Sequence, residues 1–136
     1  MTTSCSNIGL VYWKQVDLEN ALLQHQRALE IRTRMFGSEH PLVATSYNNI
    51  GSLYGTKGDL ENALLQFQRA LEIQTRVFGS QHLDVAASCQ NIAVVYLKQG
   101  KRAQAIEMAT KSYDINLKVL GPDHPSTRQL KSFLGK

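Results

Sequence analysis

The chain has 136 residues, of which 43% are hydrophobic and 19% are charged, and its formal net charge is +4. This composition is typical of a soluble, folded chain and argues against disorder, while the length fits one domain or a short repeat array. The chain lacks a signal-peptide pattern, the roughly 18 consecutive apolar residues of a membrane span, and enough cysteines for a disulfide scaffold, so we expect a cytoplasmic protein that does not associate with membranes.

The positive charge is concentrated near the end of the sequence. Residues 98–136 contain 8 basic and 3 acidic residues, whereas residues 1–97 contain 7 basic and 8 acidic residues. A basic segment could attract RNA or an acidic partner, but we interpret this pattern as a solvated basic end.

A repeat of 42 residues dominates the sequence, and residues 3–44 are identical to residues 45–86 at 28 of 42 positions. We place the copies at about 1–37, 38–79 and 80–121, followed by a partial copy at 122–136. The repeated positions include one glycine, one histidine, one asparagine and one alanine in each copy: Gly37, Gly79, Gly121, His40, His82, His124, Asn7, Asn49, Asn91, Ala21, Ala63 and Ala105.

The first copy is predicted to form two antiparallel helices, although Val16 stands where the second copy has Gly58. It begins inside its first helix, without the loop that precedes the other copies. We therefore interpret the chain as a fragment of a longer array, or as an array with an abbreviated first repeat.

The second copy predicts one helix over about 41–56 and another over about 60–78. Apolar residues recur on one face of each helix, at steps of three and four. Gly58 can end the first helix in the left-handed conformation, and Asp59 can cap the second. We expect Gly79 to end the second helix in the same way as Gly58.

The third copy repeats this pattern with a weaker helix start, because Lys101 replaces the capping aspartate. The partial copy at 122–136 reads as a capping helix, with polar residues where a further repeat would dock. We interpret this as favouring a natural carboxyl terminus. One helical hairpin cannot bury its apolar face alone, so the copies should stack on one another.

The repeated residues resemble the tetratricopeptide repeat family. The unit here is 42 residues long, whereas the usual unit has about 34. The longer unit, its FGS-x-H-P junction and the run 48–51 are similar to the repeats of kinesin light chains. The residues that carry the resemblance in the second copy are Tyr47, Ile50, Gly51, Tyr54, Ala63, Phe67 and Ala70.

This resemblance extends from Thr3 to about Leu134. It implies an all-α, right-handed superhelical solenoid of antiparallel helix pairs, with three 42-residue repeats and a carboxyl-terminal capping helix. It also implies a protein-binding scaffold, although this fold serves many different partners.

In such a solenoid the first helix of each pair lines the concave face, and its polar side would meet a bound peptide. Asparagines recur there, and an amide offers both a donor and an acceptor to a peptide backbone. The alternative role, which is compatible with binding, is that an asparagine ties one helix to the next. The predicted peptide-binding residues are Asn7, Asn49, Asn91, Asn48, Ser52, Gln90, Thr45, Trp13, Lys14 and Lys98.

Three of these residues lie near the ends of the proposed surface. Trp13, the only tryptophan, either anchors a partner or covers the bare end of the first repeat. Lys14 and Lys98 could supply charge for an acidic ligand, but the central copy has Thr56 at that position. The basic clamp that related domains use for a terminal carboxylate is not present, which argues against chaperone-tail binding.

The sequence gives no support for a metal site, a cofactor or catalysis. Three of the four histidines occur once per repeat, too far apart to share an ion, and each should instead bond to the adjacent helix end. His25 replaces a core phenylalanine and should be tolerated there. Cys5 and Cys89 lie two repeats apart and should be small buried residues rather than a disulfide.

We therefore predict a non-catalytic scaffold or adaptor that binds a protein or peptide along its concave face. Self-association end to end is the main alternative, because a bare first helix could stack on another copy. An RNA-binding helical repeat is a weaker alternative, since residues 1–97 are slightly acidic and the repeat length does not match. The apolar contact for self-association would come from Ile8, Val11, Tyr12 and Trp13.

Overall fold

The structure, a computed structural model, describes the backbone of residues 3–135 and the side chains of residues 17–135. The described backbone forms helices without a strand, which confirms the predicted all-α class; the right-handed superhelical twist and the repeat boundaries stay predictions. The helices are α1 (Thr3–Phe36), α2 (Pro41–Lys57), α3 (Leu60–Phe78), α4 (Leu83–Lys98), α5 (Arg102–Leu120) and α6 (Pro125–Leu134).

Helices α2 and α3 form the predicted hairpin, with ends within one residue of those expected from the sequence. Gly58 adopts the left-handed conformation at φ +92°, which lets the chain leave α2 and turn back. The Asp59 Oδ1 atom accepts a hydrogen bond from the Asn62 backbone amide at 3.3 Å and so caps α3. Both predicted roles are confirmed.

The first copy differs from this pattern, because residues 3–36 form one continuous helix instead of two. The turn glycines of the other hairpins, Gly58 and Gly100, have φ values of +92° and +78°. A β-branched residue such as Val16 is strained in that conformation, so the helix continues through the position of the expected turn. The predicted first hairpin is therefore absent from the described backbone.

The continuous helix changes the burial of the first copy. Ile31 of α1 is 55% exposed, whereas the isoleucines at the same repeat position, Ile73 and Ile115, are 5% and 4% exposed. In α3 and α5 these isoleucines pack against the helix that precedes them in the same hairpin. In α1 no turn brings the first half of the helix back onto this face.

Small side chains allow the helices of a hairpin to approach closely. Ala63 and Ala70 are fully buried, as expected. A Cβ atom added at Gly51 would lie 2.8 Å from the Phe67 ring, so this ring can pack only against a glycine. In the third repeat, Ala93 takes the place of the glycine and Ala109 takes the place of the phenylalanine. Two small side chains therefore face each other where the second repeat has a large ring against a glycine.

The three repeated histidines cap the helices that follow them, as predicted. The Nδ1 atoms of His40, His82 and His124 accept hydrogen bonds from backbone amides two residues later, at 3.0–3.2 Å. The His40 and His82 rings also stack on Phe36 and Phe78. Each histidine thereby fixes the junction between one helical pair and the next.

Two other sequence expectations have different outcomes. Lys101 makes no side-chain capping bond among the described residues, which confirms the weaker start of α5. Gly79 does not end α3 in the left-handed helical conformation as Gly58 does for α2. Its φ of +86° is combined with a ψ of 167°, a region that essentially only glycine occupies.

In the described part of the chain, no helix combines the length and the apolar character that crossing a membrane requires.

The uncapped start of α5 yields a stability prediction. We expect Lys101→Asp to raise the free energy of unfolding by about 1 kcal/mol, because the new carboxylate can accept from an otherwise unpaired amide of the first turn. Urea unfolding measures the change. The matched control is Asp59→Ala, which should lose a similar amount at α3. Equal stability of Lys101→Asp and the wild type would contradict this capping argument.

Candidate functional site

Two adjoining clefts lie along helix α4. The first, which we call the α2–α4 cleft, has a volume of about 200 Å³ and is lined by Ser52, Gly55, Thr56, Leu60, Phe67, Asn91, Val94, Val95 and Lys98. The second, the α4–α6 cleft, has a volume of about 230 Å³ and is lined by Gln90, Ala93, Val94, Leu97, Ala109, Gln129, Leu130 and Phe133. Val94 lines both, so the two clefts adjoin at this residue, and we call them together the α4 groove.

The helical repeat explains why α4 contributes to both clefts. Gln90, Asn91, Val94, Leu97 and Lys98 follow one another at steps of one or three residues, which places them on one side of a helix. The opposite side of α4 carries buried residues that pack on α3 and α5, among them Ile92 and Val85. The groove therefore combines apolar side chains with amides and one lysine.

The structure brings four of the predicted binding residues into this groove. Ser52, Asn91 and Lys98 line the α2–α4 cleft, and Gln90 lines the α4–α6 cleft. Asn49 and Thr45 lie on α2 but outside the linings of these clefts. Asn49 is half-buried and Thr45 is exposed.

Asn48, another of the predicted binding residues, makes a contact between two helices. Its Nδ2 atom donates a hydrogen bond to the Ser88 hydroxyl at 3.4 Å, and so it ties α2 to α4. Its Oδ1 atom is buried and has no partner among the described residues. Asn48 lines neither cleft, and the structure therefore gives it the alternative role that we considered for the asparagines, joining one helix to another.

Ser88 is the centre of this polar junction. It is fully buried, and its hydroxyl donates a hydrogen bond to Oε1 of Gln74 in α3. The preceding junction has the same design, since Arg32 donates to the hydroxyl of buried Ser46 at 2.8 Å. In both cases a side chain of one helix reaches a serine in the first helix of the hairpin that follows.

Several of the predicted binding residues keep hydrogen-bonding capacity for a ligand. Among residues 17–135, the Asn49 and Asn91 side chains have no hydrogen-bond partner. The Thr45 and Thr56 hydroxyls donate to backbone oxygens of α2, at 3.1 and 3.0 Å, and so can only accept from a ligand. The amides of α4 are therefore better suited than the threonines to bind a peptide backbone.

Three predicted residues, Asn7, Trp13 and Lys14, lie outside the residues whose side chains the structure describes. The same applies to Cys5 and to the residues proposed for end-to-end stacking.

Phe133 is a groove residue that the sequence-based site did not include. It is 43% exposed, and together with Val94 and Leu97 it forms the apolar surface of the α4–α6 cleft. Phe133 could have been found, because it follows Asn91 by one 42-residue step.

The described residues give no sign of a metal or redox centre. No group of three or more histidine, cysteine or acidic side chains within them could hold an ion. Cys89 is a free, buried thiol, and its burial raises the pKa; the positive charge of Lys111 lowers the pKa by a smaller amount. A raised thiol pKa suits a structural cysteine rather than a nucleophile.

Stacked antiparallel helices joined by repeated capping and packing positions define this molecule as an α-helical repeat protein. Its sequence matches the tetratricopeptide repeat family over residues 2–76 and 57–118, and the chain belongs to that family. Proteins built from these repeats generally act as protein-binding scaffolds without catalytic activity. A comparison with curated proteins found no match.

Solved structures show the same fold. BtubC (BKLC) from P. vanneervenii superimposes with a TM-score of 0.80 at 20% identity, over 90% of this chain and 48% of that one. The nearly identical TPR-like repeats of a Podosopora anserina protein described as a kinesin light chain give a TM-score of 0.78 at 23% identity. That match covers 94% of this chain and 61% of the other, so this chain spans about half to three fifths of these proteins.

The polar junction at Ser88 yields a second stability prediction. We expect Ser88→Ala to destabilise the chain by about 1–3 kcal/mol, because the Gln74 amide would stay buried without its hydrogen-bond donor. Urea unfolding measures the loss.

Two comparisons test the cause of that loss. Adding Gln74→Leu to Ser88→Ala should recover much of the stability, because removing both polar partners leaves no unpaired buried group. Ser46→Ala should cost less than Ser88→Ala, since the side chain of Arg32 is only partly buried and can bond to water. A double variant that is less stable than Ser88→Ala would contradict our account.

Proposed function

We propose that this chain is a non-catalytic adaptor that binds an extended segment of a partner protein in the α4 groove. The observation that carries the proposal is that the two clefts adjoin at Val94 and lie side by side along α4. Two adjoining clefts suit an extended chain, because neighbouring peptide residues can occupy both.

The chemistry of the groove supports a peptide rather than another ligand. Asn91 and Gln90 offer paired donors and acceptors, which match the alternating N–H and C=O groups of a peptide backbone. Val94, Leu97 and Phe133 offer an exposed apolar surface next to these amides. An apolar side chain of the ligand could be buried there while its backbone bonds to the amides.

The membership in the tetratricopeptide repeat family agrees with this proposal, because these repeats generally mediate protein–protein interaction. The similarity to kinesin light chain repeats concerns the fold, and we propose no cargo on that basis.

The proposal predicts that amides and apolar residues of the groove contribute to peptide affinity. A peptide would first be selected from a random display library on the immobilised wild-type chain. We expect Gln90→Ala combined with Asn91→Ala to weaken its binding at least about fivefold, since each lost hydrogen bond contributes about 0.5–1.5 kcal/mol. Phe133→Ala should also weaken binding. Fluorescence polarisation of the labelled peptide measures each dissociation constant.

The matched control is Gln68→Ala combined with Gln104→Ala, which removes two exposed amides of α3 and α5 outside the groove. This variant should bind the selected peptide as the wild type does, and circular dichroism would verify that all variants fold. The proposal fails if the groove variants and the control bind the peptide equally well, or if the wild type selects no peptide.

Self-association is a second proposal, and the exposure of Ile31 favours it. An isoleucine that is buried in the other two copies but 55% exposed in α1 could be covered by another molecule. We expect the mass measured by light scattering to rise with protein concentration, and Ile31→Glu to abolish the rise. The control is Ile106→Glu, at a position 40% exposed on α5. A mass independent of concentration would exclude this association.

A further inference from the structure

A third cleft lies on a different side of α4 from the groove. Cys89 and Asn91 are two residues apart, which separates their side chains by about 200° around a helix. The space around Cys89, which we call the Cys89 cleft, has a volume of about 410 Å³ and is bounded by α3, α4, α5 and the loop before α4. Its lining includes Leu71, Val85, Cys89, Lys111, Ile115 and Lys118.

The preceding repeat shows what occupies the corresponding place there. Tyr47 lies one 42-residue repeat before Cys89, and the residues around these two positions correspond as well. Tyr47 packs against Val43, Ala44, Ala70 and Ile73, together with Leu29. Cys89 packs against Val85, Ala86 and Ile115, together with Leu71 and Met108. The two surroundings are alike, but only the first of them contains an aromatic ring.

A cation accompanies the ring in the preceding repeat. The Arg69 guanidinium carbon lies 5.8 Å from the centroid of the Tyr47 ring, within the range of a cation–π interaction. Lys111 follows Arg69 by 42 residues and lines the Cys89 cleft. The third repeat thus has the same apolar side chains and a cation at the same position, but it has no aromatic ring between them.

From this comparison we infer that the Cys89 cleft is a binding site for an aromatic ring, specifically a tyrosine side chain of a partner protein. The ring would lie against Leu71, Val85 and Ile115, with its face towards the Lys111 ammonium. This site is separate from the α4 groove and does not depend on the function proposed for that groove.

The other groups of the cleft are compatible with a neutral phenol. Because burial raises the pKa of the Cys89 thiol, this side chain is uncharged near neutral pH and presents an apolar floor to the ring. Lys118 is engaged with the Gln81 side-chain oxygen at 3.3 Å. Asp114, on the exposed rim, can accept a hydrogen bond from a phenolic hydroxyl.

The first test uses 4-methylphenol, which reproduces the tyrosine side chain. We expect it to shift the methyl NMR signals of Leu71, Val85 and Ile115, with a dissociation constant of about 1 mM or below. The saturated analogue 4-methylcyclohexanol should bind several-fold more weakly, because it has no π-electron face for Lys111. Equal binding of both compounds would overturn the recognition of an aromatic ring.

Variants at position 89 show whether the ring occupies the predicted space. Cys89→Tyr should fill the cleft with its own ring, raise the melting temperature and abolish binding of 4-methylphenol. Cys89→Ala keeps the cleft open and should retain binding. Binding that persists in Cys89→Tyr would place the compound elsewhere, and loss in Cys89→Ala would show that the thiol rather than the space is recognised; either result overturns the inference.

Variants at position 111 provide a test that does not change the cleft floor. Lys111→Gln should weaken binding of 4-methylphenol about two- to fivefold, and Lys111→Arg should preserve it. The control is Lys118→Gln, which should have little effect because its ammonium is already paired with Gln81. An equal loss at both positions would contradict a specific role for Lys111.

The source of the ring is tested with N-acetyl-tyrosinamide, which carries the phenol on a peptide-like backbone. A tyrosine of a partner protein requires this compound to bind at least as tightly as 4-methylphenol. If 4-methylphenol alone binds, the cleft accepts free phenols, and the assignment to a partner's tyrosine is wrong. If neither compound shifts the methyl signals, the site itself is refuted.

Discussion

The backbone conformation of one residue, at the point where the chain turns from the first helix of a hairpin into the second, decides how much of this chain can form a packed core. A hairpin exists only where the backbone can adopt a positive φ after the first helix, as it does at Gly58 and Gly100. Where the hairpin forms, the alanines and isoleucines of the second helix are buried against the first. Where Val16 takes the glycine's place, the helix continues and Ile31 stays exposed. The burial of apolar surface, the main favourable contribution to folding, therefore depends on a local backbone choice.

Once two hairpins exist, polar contacts determine how they stack. Buried apolar side chains hold adjacent helices together but specify their register weakly, because many apolar contacts are nearly equivalent. The hydroxyl of Ser88 removes this freedom, since it must meet both Gln74 of α3 and Asn48 of α2. A displaced stacking would leave a buried amide unpaired. The same contacts position α2 beside α4, and the α2–α4 cleft lies between these two helices.

Much of this architecture could be predicted from the sequence, because the decisive residues act locally. The ends of α2 and α3 follow from Pro41, Gly58 and Asp59, and the histidine caps follow from their position before each helix. The continuous α1 differs from the prediction, because repeat symmetry implies a hairpin in the first copy whereas the β-branched Val16 disfavours the turn that a hairpin requires. The position of Asn48 depends on a contact between residues 40 apart, which no local pattern contains.

Departures from the repeat pattern explain the surfaces that differ between the copies. Phe133 occupies the position of the repeated asparagine and gives the α4–α6 cleft its exposed ring. Ala109 occupies the position of Phe67, so a smaller side chain borders this cleft. Cys89 occupies the position of Tyr47 and leaves an open space beside Lys111. In each case the surrounding repeat keeps the backbone in place, because the histidine cap before the first helix of each repeat recurs. A single substitution can therefore alter the chemistry of a surface without altering its geometry, and distinct binding surfaces can arise on nearly identical units.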